Sequence, residues 1–372
     1  MDKDQTKPIY VTRPSMPPYE EFCREIASLW DTRFLTNFGE KHNRLEQALA
    51  GYLGVENFVL TVNGHLALET AVEAMELAGE VITSPFTFAS STHALVRHGL
   101  TPVFCDVRKD TFTMDADLIE PLITEKTTAI LPVHVYGVPC EVTRIDEIAN
   151  KHHLKVLYDA AHAFGVRVGG VPIATYGDIS MFSFHATKVF HTIEGGGLAV
   201  NHAACLQRLN LVKRFGIPAG EDALLAGTNA KMNEFQAAMG LCNLPLADQS
   251  IAERKRVCER YDAHFTNVSG IQLLPDMPEV TRNYSYYPII FHDAFGKTRD
   301  EVCAALEAEQ IYPRKYFCPP TNRLTCYRDK GYRGETPISD ELSERVLCLP
   351  LYAELTNGDA DRIARLILNK SK

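Results

Sequence analysis

The sequence predicts an α/β fold in which a mainly parallel sheet of seven strands is covered by helices on both faces. Two observations support this prediction. Seven short apolar runs alternate with segments of helical periodicity from about residue 40 to about residue 200. Several of these runs are followed directly by small, polar or aromatic residues, such as Asn63-Gly64 and Asp159. In a parallel sheet these positions gather at the carboxyl edge, where ligands bind.

The elements of this first part follow from their apolar residues. Leu45, Leu49 and Leu53 recur at helical spacing. A second helical pattern runs from residue 66 to residue 75 and should end at Gly79, and residues 90–97 have a third. The seven predicted strands are Val59–Thr61, Val81–Thr83, Pro102–Asp106, Ala129–Val133, Val156–Asp159, Ile179–Phe182 and Leu198–Val200.

The pattern changes beyond residue 200, where helices predominate. The predicted helices are Leu206–Phe215, Asn233–Leu246, Ile251–Phe265, Asp300–Gln310, Asp340–Val346 and Asp359–Asn369, with one strand at Tyr284–Phe291. We therefore expect a large domain over residues 1–248, with the N-terminal segment included, and a small C-terminal α+β domain over residues 249–372. A chain of 372 residues is long enough for this division.

Composition and charge limit the classes of function. The formal net charge is −9 and no basic stripe is present, which argues against a nucleic-acid binder. The sequence has no apolar run long enough to span a membrane and no apolar core of a signal peptide at its start. None of the ten cysteines has C-x-x-C spacing. We therefore expect a cytoplasmic protein with free cysteines and no membrane partner.

Lys188 is the strongest candidate for a catalytic residue because of its surroundings. A strand-like run ends at Ser183, Lys188 follows in a loop, and the turn Gly195-Gly-Gly197 leads into the next predicted strand. Upstream, another apolar run ends at Asp159. A loop lysine, a strand-end serine and a strand-end acid can hold the aldehyde, the phosphate and the ring nitrogen of pyridoxal 5'-phosphate, or PLP. A lysine without such neighbours is usually a surface residue.

Each of these positions also has an ordinary structural explanation. Lys188 must lose its proton to react with an aldehyde, so the site has to lower its pKa. Asp159 would keep the ring nitrogen protonated, but an acid after a strand can also cap a helix. Gly64 and His65 begin a predicted helix whose free N–H groups can bind a phosphate. The pair Asn63-Gly64 is also a common turn.

Further candidates lie near the same predicted pocket. Ser183 could add a hydroxyl to the phosphate site, and Phe88 could stack on the cofactor ring, although both residue types are common in turns or cores. His162, His185 and His191 could hydrogen-bond a ligand or move protons, with a structural role as the alternative. We predict no metal site, because no histidine has a ligand partner at metal spacing. The motifs of dinucleotide-binding, P-loop and serine hydrolase enzymes are absent.

Taken together, the chain resembles the DegT/DnrJ/EryC1/StrS family of sugar aminotransferases over nearly its whole length. The resemblance implies a fold-type-I PLP enzyme that forms a homodimer with shared active sites. It rests on Asn63-Gly-His-Leu-Ala-Leu, Pro85-Phe-Thr-Phe-Ala-Ser90, Pro132-Val-His-Val-Tyr-Gly137, Asp159-Ala-Ala-His-Ala-Phe-Gly165, Ser183-Phe-His-Ala-Thr-Lys188, Glu194-Gly-Gly-Gly197 and Asn229-Ala-Lys-Met-Asn-Glu-Phe-Gln-Ala-Ala.

The resemblance also implies a role for individual residues. Lys188 would bind the aldehyde covalently, Asp159 the ring nitrogen and Phe88 the ring face. The positions that match contacts to the cofactor's phosphate or hydroxyl are Gly64, His65, Ser183, His162 and, from the neighbouring subunit, Asn229. Two positions depart from the family pattern: His65 stands where Thr or Ser is frequent, and Lys231 replaces a frequent arginine.

In this family, glutamate usually donates the amino group and a nucleotide-linked keto-deoxysugar accepts it. The chain is most similar to members that aminate C-4, such as dTDP-4-amino-4,6-dideoxyglucose transaminases. We therefore expect a dTDP-linked 4-keto-6-deoxyhexose as the acceptor and a role in deoxyaminosugar biosynthesis for lipopolysaccharide or O-antigen. The candidate substrate contacts are His185, Arg214, Arg314, Lys315 and Tyr316, although basic pairs are often only solvated surface.

Three alternatives remain open from the sequence. The enzyme could aminate C-3 instead of C-4. It could be a PLP-dependent sugar dehydratase, but such relatives have histidine at the lysine position, and this chain keeps Lys188. It could also be a regulatory protein of the same fold without enzymatic activity, which the retained Lys188, Asp159 and Asn229 disfavour.

Overall fold

The computed structural model describes residues 7–218, 220 and 222–368. Its helices are α1 (Tyr19–Thr32), α2 (Glu40–Leu53), α3 (Gly64–Ala74), α4 (Ala89–Arg97), α5 (Val142–His152), α6 (Ala204–Val212), α7 (Glu234–Asn243), α8 (Ala247–Phe265), α9 (Arg299–Ala308), α10 (Pro337–Arg345) and α11 (Asn357–Leu368). Residue 369, the predicted end of the last helix, lies outside the described residues.

The strands are short. They are β1 (Ile9–Tyr10), β2 (Phe58–Thr61), β3 (Glu80–Thr83), β4 (Thr101–Phe104), β5 (Thr127–Leu131), β6 (Lys155–Asp159), β7 (Arg167–Val168), β8 (Val171–Pro172), β9 (Ile179–Ser183), β10 (Gly196–Val200), β11 (Ile271–Gln272), β12 (Val280–Thr281), β13 (Tyr287–Phe291), β14 (Ile311–Tyr312) and β15 (Val346–Leu349).

The main sheet has seven strands in the order β2-β10-β9-β6-β5-β3-β4. Strand β10 is antiparallel to both of its neighbours, while the pairs β9-β6, β6-β5, β5-β3 and β3-β4 are parallel. Nearly every residue of these strands is buried, because helices cover both faces of the sheet. The predicted fold class, a mainly parallel seven-stranded sheet flanked by helices, is confirmed.

The topology brings the predicted site residues to one edge of the sheet. Strands β2, β3, β6 and β9 all run in the same direction. Asn63 and Gly64 follow β2, Phe88 follows β3, and Asp159 and Ser183 end β6 and β9. Residues that are distant in the sequence therefore meet at the carboxyl edge, as expected for a ligand site in this kind of sheet.

The C-terminal part has its own antiparallel sheet, β11-β13-β15. It packs with α8, α9 and α11 around an apolar cluster that includes Val257, Tyr261, Leu306 and Ile363. The N-terminal β1 joins this part, because it pairs in parallel with β14, with Ile9 opposite Ile311. The predicted domain boundary at residue 248 falls at the start of α8, and the division itself stays a prediction.

Some elements were not predicted from the sequence. Helix α1 buries only Leu29, so its apolar residues do not form the face of a core helix. The hairpin of β7 and β8 is too short to give a periodic signal. Among the residues that the structure describes, none of the helices has both the length and the apolar character needed to cross a membrane.

Candidate active site

A cavity of about 460 Å³ lies at the carboxyl edge of the main sheet, between that edge and residues of the C-terminal part. The predicted site residues that line it are Gly64, His65, Phe88, Asp159, His162, Ser183, His185, Lys188 and Tyr316. Tyr286 and Phe317 of the C-terminal part, which the sequence did not single out, also line it. No group of three or more metal-binding side chains is present in the described part of the chain.

Asp159 lies at the end of β6 and is 5% exposed. The Ser91 hydroxyl donates a hydrogen bond to its Oδ2 at 2.7 Å, and the Ala161 N–H donates to its Oδ1 at 3.1 Å. Burial raises the pKa of the Asp159 carboxyl, while these hydrogen bonds and the charge of Lys188 oppose the rise. Among the described residues, no cation lies within ion-pair distance of Asp159. A buried carboxylate that has hydrogen bonds but no cationic side chain beside it can pair with a cationic group of a ligand.

Lys188 lies in the loop after β9, and its N–H donates to the His185 carbonyl at 2.9 Å. Its ammonium nitrogen lies 5.9 Å from the centroid of the Tyr286 ring. Burial in the cavity lowers the pKa of Lys188 to about 8, although Asp159 acts in the opposite direction. The neutral amine, which is the form that attacks an aldehyde, is therefore far more abundant near neutral pH than in an exposed lysine.

His162 is held in one tautomer by the backbone. The N–H of Tyr136 donates to His162 Nδ1 at 3.0 Å, and Tyr136 has a left-handed backbone conformation with φ of 58°. Burial, together with the charge of Lys188, holds the pKa of His162 well below its ordinary value. The neutral ring therefore carries its proton on Nε2, which is available as a donor in the cavity.

Gly64 and His65 at the start of α3, together with Ser183, form a narrow concave site that can hold an anion, called the cup below. Asn63 caps the helix, because its side-chain oxygen accepts the Leu66 N–H at 2.8 Å. The N–H groups of Gly64 and His65 lie in the first turn, where a helix has no internal acceptors for them. Two glycines make the cup narrow. A Cβ on Gly64 would lie 3.0 Å from Ser183 Cβ, and one on Gly196 would lie 2.7 Å from the Gly64 nitrogen.

The remaining predicted residues differ in their positions. Phe88 precedes α4 at the cavity rim and is 63% exposed, so its ring face is free to stack on a ligand. Arg314 and Lys315 line an adjoining cavity of about 400 Å³, which shares Phe88, Tyr316 and other walls with the first. Lys315 is already paired with Asp300 at 2.6 Å.

Other candidates lie away from the cavity within one chain. Arg214 and Asn229 form an antiparallel backbone bridge and are not among the residues that line it. The Asn229 side-chain oxygen accepts a hydrogen bond from Lys231 at 2.6 Å. His191 is buried and donates to the Ser15 carbonyl at 2.6 Å, which is the structural role considered as its alternative.

The residues present fit PLP. A neutral amine can bind its aldehyde, a buried carboxyl without a cation can meet its ring nitrogen, and the cup at α3 can bind its phosphate. The exposed Phe88 ring can cover one face of the pyridine ring.

The sequence is similar to one family of known proteins. The model of the DegT/DnrJ/EryC1/StrS aminotransferase family matches residues 19–368. A dTDP-4-amino-4,6-dideoxy-D-glucose transaminase of Shigella dysenteriae is 39% identical over 97% of this chain and 98% of its own length. A protein of the same name from Escherichia coli is 38% identical over 98% of this chain and 99% of its own length.

Solved structures give the same result. The structure of DesI in the presence of its TDP-sugar product superposes with a TM-score of 0.93, at 34% identity, over 97% of this chain and 92% of that chain. The PLP form of Spr1654 from Streptococcus pneumoniae has a TM-score of 0.89 at 26% identity and covers 97% of both chains.

Proposed function

The chain belongs to the DegT/DnrJ/EryC1/StrS aminotransferase family, and on this premise we propose that it transfers the amino group of glutamate to C-4 of a dTDP-linked 4-keto-6-deoxyhexose. The enzyme is a PLP-dependent sugar transaminase. The observation that carries the proposal is the cavity that Lys188 and the buried Asp159 both line. Burial there lowers the pKa of Lys188 to about 8. Similarity to dTDP-4-amino-4,6-dideoxy-D-glucose transaminases supports the choice of nucleotide, sugar and carbon.

When bound, PLP supplies an aldehyde that captures amines and a ring that accepts electrons from the adjacent carbon. The protein supplies the remaining functions. Lys188 Nζ takes the proton from the α-carbon of glutamate and, in the second half of the reaction, returns one to C-4 of the sugar. Asp159 would hold the ring nitrogen in its protonated form, and the first turn of α3 would bind the phosphate. Because Nδ1 of His162 accepts the Tyr136 N–H, its Nε2–H would be the group that donates to an oxygen of a ligand in the cavity.

The two adjoining cavities suggest how a sugar nucleotide lies. Tyr316 and Phe317 line both cavities, so a sugar nucleotide whose sugar lies in the first can extend into the second. Arg314 is exposed in the second cavity and could meet the diphosphate, with Lys315 beside it once its bond to Asp300 is shared. His185 and Tyr316 line the first cavity and could contact the hexose.

We place the enzyme in the cytoplasm as a homodimer. All ten cysteines are free, which fits a reducing compartment. Large apolar side chains are exposed on the single chain, among them Trp30 at 67%, Phe34 at 50% and Phe215 at 47%. A second copy of the chain could bury these side chains in a dimer interface. Asn229 and Arg214 of the partner subunit could then approach a shared active site. The size of the purified enzyme in solution tests this proposal.

A panel of nucleotide-linked keto sugars tests the activity. The purified enzyme is incubated with PLP, glutamate and dTDP- or UDP-linked 4-keto or 3-keto sugars, and products are identified by mass spectrometry and NMR. We expect 2-oxoglutarate and a 4-amino-4,6-dideoxyhexose from the dTDP-linked 4-keto sugar. An amine at C-3 would correct the position, loss of water without 2-oxoglutarate would indicate a dehydratase, and no turnover with any sugar would favour a regulatory protein.

A further inference from the structure

A chain of four polar side chains runs from the cavity to the surface between α3 and α4. The Ser90 hydroxyl lines the cavity and lies 2.8 Å from His65 Nδ1. His65 Nε2 lies 3.3 Å from Glu69 Oε1 on the next turn of α3. The same Glu69 oxygen accepts a hydrogen bond from Arg97 on α4. The Glu69 side chain is only 10% exposed, whereas the side chains of His65 and Arg97 are 37% and 67% exposed.

These contacts determine where the protons of His65 lie. His65 Nε2 lies within ion-pair distance of the Glu69 carboxylate, which has no proton to donate, and this contact favours a proton on Nε2. In the neutral ring, Nδ1 is then an acceptor, and the Ser90 hydroxyl donates to it. If Nδ1 also takes up a proton, the direction of this hydrogen bond reverses. Ser90 then accepts from His65, and its own hydrogen is released towards the cavity.

The charges around His65 are nearly balanced when its ring is neutral. Glu69 on α3 faces Arg97 on α4, and the two charges compensate each other. His93, also on α4, has its pKa lowered by burial and by the positive charges of His65 and Arg97. The other titratable groups that line the same cavity are Asp159, His162, His185, Lys188 and Glu194. A phosphate dianion at the start of α3 would change this balance and favour the charged form of His65.

We propose that His65 takes up a proton when the phosphate of the cofactor binds at the start of α3, and that Ser90 thereby becomes a donor to this phosphate. Binding of the cofactor is then linked to proton uptake in this chain. The inference rests on the PLP site described above and assigns a positioning role to Glu69, which holds the charged ring.

Titration calorimetry with pyridoxamine 5'-phosphate tests the inference without turnover. This form of the cofactor has the phosphate but no aldehyde, so Lys188 does not bind it covalently. Binding to the apoprotein at pH 7.5 is measured in two buffers of different ionisation enthalpy, and the difference gives the protons taken up. His65→Gln removes the titrating ring but leaves the N–H groups of α3. His98→Asn is the matched control, because His98 pairs with Glu73 at 3.7 Å between the same two helices and does not line the cavity.

We expect proton uptake by the wild type and by His98→Asn and a clear loss of it in His65→Gln. The wild-type affinity should fall by up to about tenfold per pH unit, relative to His65→Gln, as the ring loses its proton. Glu69→Gln keeps the His65 ring and should also reduce the proton uptake. This variant tests the inference if His65→Gln binds pyridoxamine 5'-phosphate too weakly to measure. Proton uptake by His65→Gln or by Glu69→Gln that equals the uptake by the wild type would overturn the inference. Failure of the wild type to bind at all would instead overturn the cofactor site.

Discussion

Ser91 donates a 2.7 Å hydrogen bond to the Asp159 carboxylate, and the two residues come from different parts of the sheet edge. Ser91 lies in the first turn of α4, whereas Asp159 ends β6. The bond leaves the carboxylate ionisable although burial raises its pKa. The same hydrogen bond orients the Asp159 carboxylate relative to the cavity. This orientation determines how well the carboxylate can keep a bound ring nitrogen protonated.

Replacing Asp159 should therefore slow both halves of the reaction. In Asp159→Asn the side chain keeps its size but loses the charge that retains a proton on the ring nitrogen. We expect single-turnover rates with glutamate, and separately with the keto sugar, to fall by on the order of a hundredfold, since a hydrogen bond to a charged group contributes about 1.5–3 kcal/mol. Stopped-flow absorbance of the cofactor measures both rates.

Ser91→Ala is the matched variant for this experiment. It retains the Asp159 carboxylate and removes only the bond that orients it, so its rates should fall by about tenfold or less. Unchanged single-turnover rates in Asp159→Asn would contradict the role of this acid.

Among the described residues, two lysines have a pKa of about 8, and only one of them should react with the cofactor. Burial lowers the pKa of both Lys188 and Lys213 to about 8. Lys213 lies outside the cavity and is 3.8 Å from Glu46. After borohydride reduction of the PLP-loaded enzyme and digestion, we expect the pyridoxyl label on the Lys188 peptide and none on the Lys213 peptide. Lys188→Ala should lose turnover and the label, whereas Lys213→Met should keep the label.

The pKa of Lys188 also predicts a pH dependence. Only the neutral amine captures an aldehyde, and a lowered pKa means that this form appears at lower pH than in an exposed lysine. The rate at which apoprotein binds PLP covalently should rise as pH increases through about 8 and then level off. The growth of the visible absorbance after mixing measures this rate between pH 6 and 10. A rate that keeps rising up to pH 10 without levelling off would show that the cavity does not lower the pKa of Lys188.

His162 should remain neutral throughout the physiological range. Its Nδ1 accepts the Tyr136 N–H, and burial holds the pKa of the ring well below its ordinary value. We expect its nitrogen NMR signals to show a protonated Nε2 and an unprotonated Nδ1 that do not change between pH 5 and 8. The spectrum of His162→Gln identifies the signals. A titration in this range, or a proton on Nδ1, would contradict the assigned tautomer.

Much of the site could be predicted from the sequence because its residues follow apolar runs. Asp159 and Ser183 each end a strand, and Gly64 begins the helix after another, so periodicity alone places them at one edge. The residues that the C-terminal part contributes to the cavity could not be predicted in this way. Tyr286 and Phe317 reach the cavity through the packing of the C-terminal part, and no local pattern in the sequence reports such a contact.

The contacts of polar side chains were also beyond sequence reasoning. Arg314 and Lys315 are neighbours in the chain, but only Lys315 has a carboxylate at 2.6 Å, because α9 brings Asp300 to it. The spacing of His65 and Glu69 favours a contact on one helix face, whereas the approach of Ser90 and Arg97 depends on how α4 lies against α3. Helix packing in three dimensions therefore determines which of the predicted residues are free to bind a ligand.

The narrow cup at α3 predicts a different result for two glycines that both lie in helices. A Cβ at Gly64 would lie 3.0 Å from Ser183 Cβ and 3.2 Å from its Oγ, whereas a Cβ at Gly51 in α2 meets no atom within 4 Å. Gly51→Ala should therefore stabilise the protein by about 0.5–1 kcal/mol, since alanine loses less conformational freedom in a helix.

In Gly64→Ala, Ser183 or the start of α3 must shift, so the phosphate loses hydrogen bonds. The affinity for PLP should fall by about tenfold, which corresponds to the loss of roughly one such bond. Fluorescence titration of the apoproteins with PLP and denaturant unfolding measure the two quantities. Wild-type affinity in Gly64→Ala would contradict a phosphate site at this helix, because the added carbon lies directly between its first turn and the serine.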